Sequence, residues 1–178
     1  MKKLIVDGFD LTKLMGVLYV GSRHPGNTSV EEFFRTLHAG GNCEILALCA
    51  LWIAGFYVEP KRSIELWHDK DFTVEVVAPY KAFDVFLFLP KGVDPHKLSE
   101  VVKGSHQKGE DSLELDELKR FHQGIYIGQI ETFNSLVKDC ILHLPKPTSS
   151  VIWPLEEFAK CEKEYWLFKV KRPVIRRI

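Results

Sequence analysis

Little in this chain points toward a large charged or greasy partner. Lys+Arg and Asp+Glu balance at 24 each, and a neutral chain has no general electrostatic pull toward nucleic acid or an anionic membrane. No stretch approaches the ~18 uninterrupted apolar residues of a membrane-spanning helix. The longest candidate, Ile45 to Val58, reads as a core helix. A signal peptide is not visible either: in MKKLIVDGFDL the apolar run after two lysines is broken at once by Asp7 and Gly8. The cysteines, at 43, 49, 140 and 161, lack paired spacing. That pattern fits reduced thiols better than a disulfide framework and sets the expectation of a cytoplasmic protein. There is no internal repeat and no low-complexity tract. The one basic run, KVKRPVIRR, reads as a solvated tail or edge strand rather than a nucleic-acid patch.

What is present is an ordinary globular composition, 46% hydrophobic and 27% charged over 178 residues. That is enough for one domain with a real core. Thr28-Ser29 followed by Glu31 and Glu32 signals a helix start. Val30, Phe33, Phe34 and Leu37 then fall on one face, and His38-Ala39-Gly40-Gly41 ends the helix. Asn42 is a favoured N-cap type for a second helix running to about Ala54, with Gly55 as its stop. Its apolar residues, from Ile45 through Ile53, go nearly all round, so it is expected to be buried on most sides.

Strands gather later. FTVEVV (72–77) alternates, and FDVFLFL (83–89) is a continuous apolar run of the kind found in central strands. GIYIGQI (124–130), CILHL (140–144) and YWLFKVK (165–171) complete the set, with short helices expected at 95–102 and 155–160 and a further turn or two in LELDELKRF. The polar stretch 91–113 reads as an inserted loop. Helices first and strands later indicate an α+β domain covering 1–178.

Three residues carry candidate chemistry. Cys43 lies on the first turn of the second helix, where exposed N–H groups and the helix dipole favour an anion. With a cationic or imidazole partner, a thiol so placed can have its pKa pulled from ~8.5 to roughly 3.5–7.5. Glu44 beside it opposes thiolate formation, unless its side chain points away into water. His122 stands at the entrance to an apolar strand, and His143 lies in the next strand. In a hairpin turning near Thr132 and Phe133 they sit equidistant from the turn and face each other. A nucleophilic thiol needs a base, and the base needs a polar group to set its tautomer. Cys140 and His143 have C-x-x-H spacing, but an odd separation on a strand sends them to opposite faces, so a zinc site is not expected.

GGNCEILALCALW, FDVFLF, FHQGIYIG and ILHLPKPTSSVIWPLEEF, taken in order, resemble the NlpC-type cysteine peptidases, as a divergent member. The likeness spans roughly Tyr19 to Val170, and HQGIYIG is its most specific part. It implies a papain-like core, with the nucleophile helix packed on an antiparallel sheet. It implies Cys43 as nucleophile, His122 as base and His143 as orienting residue, with Tyr19 and Asn42 in contact with substrate and Asp84 structural. The activity implied is hydrolysis of a peptide or other amide, with a cell-wall-type peptide as one substrate class and no metal or organic cofactor. Asn42-Cys43-Glu44-Ile45 departs from the family's usual Asp-Cys-Ser-Gly. Asn-Cys-Glu also resembles the lecithin retinol acyltransferase-like enzymes, which implies acyl transfer through the same thioester. In that group, however, the histidine strand precedes the cysteine helix, and the order here matches the peptidases. A non-catalytic domain that kept the fold is the remaining alternative.

Overall fold

The computed structural model describes residues 3–90, 92–98, 100, 121–131, 136–157 and 166–177. A short hairpin comes first, β1 (Ile5–Val6) against β2 (Phe9–Asp10). Asp7 and Gly8 form its turn with φ of 50° and 86°, the left-handed pair that a two-residue Asp-Gly hairpin requires. The sequence reading did not assign it, although the Asp-Gly signal is there.

Two helices follow. Helix α1 (Val30–Arg35) begins at Ser29, whose side chain accepts from the Glu32 N–H, and a 3-10 turn over Leu37–Ala39 extends it. Helix α2 (Cys43–Ile53) begins at Asn42 and buries every residue from Cys43 to Leu51. Helix α3 (Ser63–His68) was not anticipated. It is short and opens on Arg62 rather than on a customary capping residue, so the start signal is missing.

The strands form one antiparallel sheet: β3 (Thr73–Val76), β4 (Val85–Pro90), β5 (His122–Glu131), β6 (Leu136–His143), β7 (Val151–Pro154) and β8 (Trp166–Pro173), in the order β3-β8-β4-β5-β6-β7. The architecture is thus α+β, mixed helix and antiparallel sheet, as expected. The basic run corrects the expectation of a solvated tail or edge strand. Its first residues lie in β8, inside the sheet between β3 and β4. Lys171 is buried against the Asp69 carbonyl, and Arg172 grips Asp84 with Nε and Nη2, each at 2.7 Å. Arg176 and Arg177 donate to the Ala54 and Trp52 carbonyls at the end of α2. Each of these cations therefore serves the fold. Residues 95–98, 100 and 155–157 are helical. The rest of the 91–113 stretch, LELDELKRF up to Arg120, the remainder of 155–160, and Cys161 lie outside the described residues.

Side chains alternate across the sheet. Val85, Leu87, Ile125, Ile127, Cys140 and Leu142 join α2 in the main core. Phe86, Phe88, Tyr126, Ile141 and Val170 form a second, aromatic-rich cluster on the other face. The β5–β6 register depends on glycine. Gly124 lies directly opposite His143, and a Cβ there would sit 2.5 Å from Ile141 Cγ2 and 3.1 Å from His143 Cβ. Gly124→Ala is therefore expected to lower stability by about 1–3 kcal/mol through overpacking, measured as a shift in the urea midpoint.

Candidate functional site

The approach to Cys43 is a tight main-chain lock. Gly41 N–H donates to Leu18 O at 3.0 Å, Val20 N–H to Gly41 O at 2.7 Å, and Asn42 N–H to Arg23 O at 2.9 Å. Gly40 has φ of 73°, and a Cβ on it would fall 2.5 Å from Leu18 O. Only glycine meets both demands. The chain can thus turn sharply and deliver Cys43 to the head of α2.

Asn42 then caps the helix. Its Oδ1 accepts from the Glu44 and Ile45 N–H groups, both at 3.0 Å, and its Nδ2 donates to Glu44 Oε2 at 2.9 Å. The Leu46 N–H goes to Asn42 O. Of the four N–H groups of the first turn, the one these bonds do not use is that of Cys43, which favours the charged form of its own sulfur. Both polar ends of Asn42, expected to contact substrate, are engaged within the chain.

Glu44 corrects a second expectation. It does not point into water but is 5% exposed. Its carboxylate receives Arg62 Nε at 2.6 Å, the Ser63 N–H at 2.7 Å and Asn42 Nδ2. A buried carboxylate is tolerated only when its oxygens are filled in this way. Arg62 in turn opens α3, where its N–H is held by Glu65. Gln123 completes the junction: Nε2 donates to Glu44 O at 3.3 Å and Oε1 accepts from Ser63 Oγ at 3.0 Å.

Cys43 itself is 5% exposed. Burial, and after it the nearby Glu44 charge, push its thiol up to about 12. The main-chain N–H of Gln123, the Arg62 charge and the N–H of Cys43 pull the other way without winning. The conditional expectation of a lowered thiol pKa is therefore reversed in this closed arrangement, because dehydration of an anion outweighs a helix terminus. Tyr19 lies close by. It bridges to Gly41 and sends its N–H to Thr148 O, and burial, Cys43 and Glu44 together raise its phenol to about 12.

His122 and His143 are brought together. His122 Nε2 lies 3.0 Å from His143 Nδ1, with ring centroids 5.2 Å apart. They are not direct cross-strand partners, as the sequence suggested. The register sets His143 against Gly124, two positions along from His122, and it is the same beside the turn, where Glu131 pairs with Leu136. Residues two apart share a face, so the rings meet diagonally across the gap left by glycine. Phe88 flanks His122 at 6.2 Å and Trp153 flanks His143 at 4.9 Å, placing the imidazoles on the aromatic face of the sheet. Burial takes His122 down to about 4, and burial together with the His122 charge lowers His143 as well. Cys140 packs on the helix side instead. Among the described residues no group of three or more His, Cys, Asp or Glu could hold a metal ion.

The Gln123 N–H acts on the thiol, and His122 is the preceding residue, at the start of β5. The β5–β6 ladder ends at Gly124–His143, and His122 and Gln123 run on past it. Gln123 turns its side chain to α2 and its N–H to the Cys43 sulfur, while His122, one residue earlier, turns to His143. The sequence reading missed Arg62, Ser63 and Gln123. Strand alternation would have sent Gln123 toward the helix, but nothing local links Arg62 to Glu44. Asp84, held by Arg172 and by the Lys81 N–H, is far along β4 from this end and serves the fold. Comparison with protein-family models, with curated proteins and with solved structures finds no match for the chain.

Two outcomes follow from the charges. Arg62→Ala leaves a buried carboxylate uncompensated and is expected to cost about 3–5 kcal/mol, whereas replacing Arg62 and Glu44 together by Met costs less than that; chemical denaturation distinguishes these. His122 and His143 stay neutral in the folded chain at pH values where unfolded histidine, with a pKa near 6.5, takes up protons. Their contribution to stability is therefore full above about pH 6.5 and is lost as pH falls toward 4. A decline of roughly 3 kcal/mol or more across that window is expected, and His122→Gln should reduce it; thermal melts at half-unit pH steps measure it.

Proposed function

We propose that the chain is a thiol hydrolase of amide bonds with a papain-like, NlpC-type arrangement, in which Cys43 is the nucleophile, His122 the base and His143 its orienting partner. One observation carries the reading. His122 is in hydrogen-bond contact with His143 at 3.0 Å, and the N–H of Gln123, the residue next to His122, acts on the Cys43 sulfur to favour its charged form.

The chemistry follows from the tautomers. For His122 Nδ1 to take a proton, Nε2 must carry one and donate it to His143 Nδ1, so His143 holds its own proton on Nε2. Cys43 Sγ attacks the substrate carbonyl carbon and its proton passes to His122 Nδ1. The N–H of Cys43, left open by the Asn42 cap, donates to the oxyanion. The C–N bond then breaks and His122 protonates the leaving amine. Water attacks the thioester, giving the free acid and restoring the thiol. With the thiol raised and the imidazole lowered, the resting pair is neutral, so His122 works by general-base assistance during attack, which contributes ~10²–10⁴ in rate. The substrate class is a peptide or other amide-containing molecule, and the scheme requires no metal or organic cofactor.

A second reading draws on the burial of Cys43 and its raised pKa: a binding domain that kept this arrangement without turnover. One set of measurements separates the two. The chain is offered short peptide amides and activated acyl esters, and intact mass is followed for an acyl adduct. Hydrolysis with a transient Cys43 thioester is expected, abolished by Cys43→Ala. Iodoacetamide should label Cys43 first, by a His122-assisted path that is nearly flat with pH above the histidine's titration at about 4, until the free-thiolate path, rising about tenfold per pH unit, takes over toward alkaline pH. Faster labelling of Cys49 or Cys161, or no adduct with any donor, would sink the catalytic reading. Transfer of the acyl group to an added amine rather than to water would identify an acyltransferase.

A further inference from the structure

Among the described residues Gln123 links both halves of the candidate site through two different parts of itself. Its N–H faces the Cys43 sulfur. Its side chain, 3% exposed for the residue as a whole, donates to the Glu44 carbonyl in the first turn of α2 and accepts from Ser63 at the start of α3. Ser63 also gives its N–H to the Glu44 carboxylate, which Arg62 closes from the other side. A ring of hydrogen bonds therefore runs from β5 to α3 and on to the cysteine turn of α2. Along β5 the next residue is His122, and its ring goes to His143 on β6.

We infer that Gln123 is a positioning residue: it pins the Cys43 turn to β5, so that the sulfur and the His122 imidazole keep one relative placement. The inference rests on the thiol-hydrolase reading and adds the device that registers its two halves. Packing alone does not supply that registration. The main core of apolar side chains is non-directional, and the main-chain lock and the Glu44 cluster tie the head of α2 to the approach segment and to α3 rather than to β5. Hydrogen bonds from one buried amide to a specific carbonyl and a specific hydroxyl are directional and leave unsatisfied groups when misaligned. The charged or titratable side chains that act electrostatically on the sulfur are Tyr19 on the approach segment, Glu44 on α2, and Arg62 before α3. None of these is on the strand that carries His122, whereas Gln123 is on it and hydrogen-bonds to the first turn of α2.

The test is a double-mutant cycle read on the thiol, which needs no knowledge of the substrate. The alkylation rate of Cys43 by iodoacetamide is measured at pH 7.5 in the parent chain, His122→Ala, Gln123→Leu and the double variant. Loss of His122 should slow Cys43 by roughly tenfold or more in the parent. In the Gln123→Leu background the same loss should change the rate by less than about twofold, because the imidazole is no longer held to the sulfur. If the His122 effect survives Gln123→Leu undiminished, the positioning role is overturned while the catalytic reading stands. If His122→Ala has no effect in the parent chain, the catalytic reading itself fails, and the positioning role with it. Should Gln123→Leu not fold, Ser63→Ala removes only the hydroxyl on Oε1 and should weaken the His122 effect by about threefold. An undiminished effect there overturns the proposal equally.

Discussion

The carboxylate of Glu44 is the point on which the rest of this structure turns. It sits one residue after Cys43, inside the protein, and takes hydrogen bonds from Asn42, Arg62 and Ser63. A buried charge of this kind is unfavourable unless each partner is in place. The three partners come from the helix cap, the residue that opens α3 and the first residue of α3. The requirement to satisfy one anion therefore decides how α2 and α3 meet, and with them where the cysteine turn lies. The same anion, close to the sulfur, holds the thiol in its neutral form.

The sheet performs the complementary task. Its two faces are both apolar, one covered by α2 and one lined by aromatic rings. Period-two alternation along β5 sends Gln123 to the helix side and His122 to the aromatic side. Gln123 and His122 therefore look to opposite faces at the end of the strand where β6 stops pairing. The β5–β6 ladder stops at Gly124–His143, and α2 brings its first residue to the strand just beyond. Gly124 is part of the same solution, since a side chain there would occupy the space of Ile141 and crowd His143.

Much of this was legible in the chain. The capping residues Ser29 and Asn42 act locally on N–H groups two and three positions ahead, so the helix starts were readable from their neighbours alone. The strand cores at 85–89, 124–130 and 140–143 follow from continuous or alternating apolar runs, a property of a few consecutive residues. The proximity of His122 and His143 was readable to within two positions. The remaining offset of two positions comes from the turn itself: Glu131 pairs with Leu136, which centres the connection one residue later than the midpoint between the two histidines. Helix α3 escaped because its cap is only half local: Glu65 holds the Arg62 N–H, but the Arg62 guanidinium and the Ser63 N–H go to Glu44, nearly twenty residues away. The basic run escaped for a related reason. Lys171, Arg172, Arg176 and Arg177 look like a solvated tail, yet each finds an acceptor supplied by a distant part of the chain.

What the sequence determined by itself was the α+β class, the head of the cysteine helix and the pairing of the histidine strands, because caps, periodicity and turn residues act over a handful of positions. The tertiary structure alone decided that Glu44 is buried and neutralised, that Gln123 joins the helix to the strand, and that the thiol and imidazoles rest uncharged. Those are outcomes of dehydration and of contacts between residues far apart in the chain, and both exist only once the chain has folded.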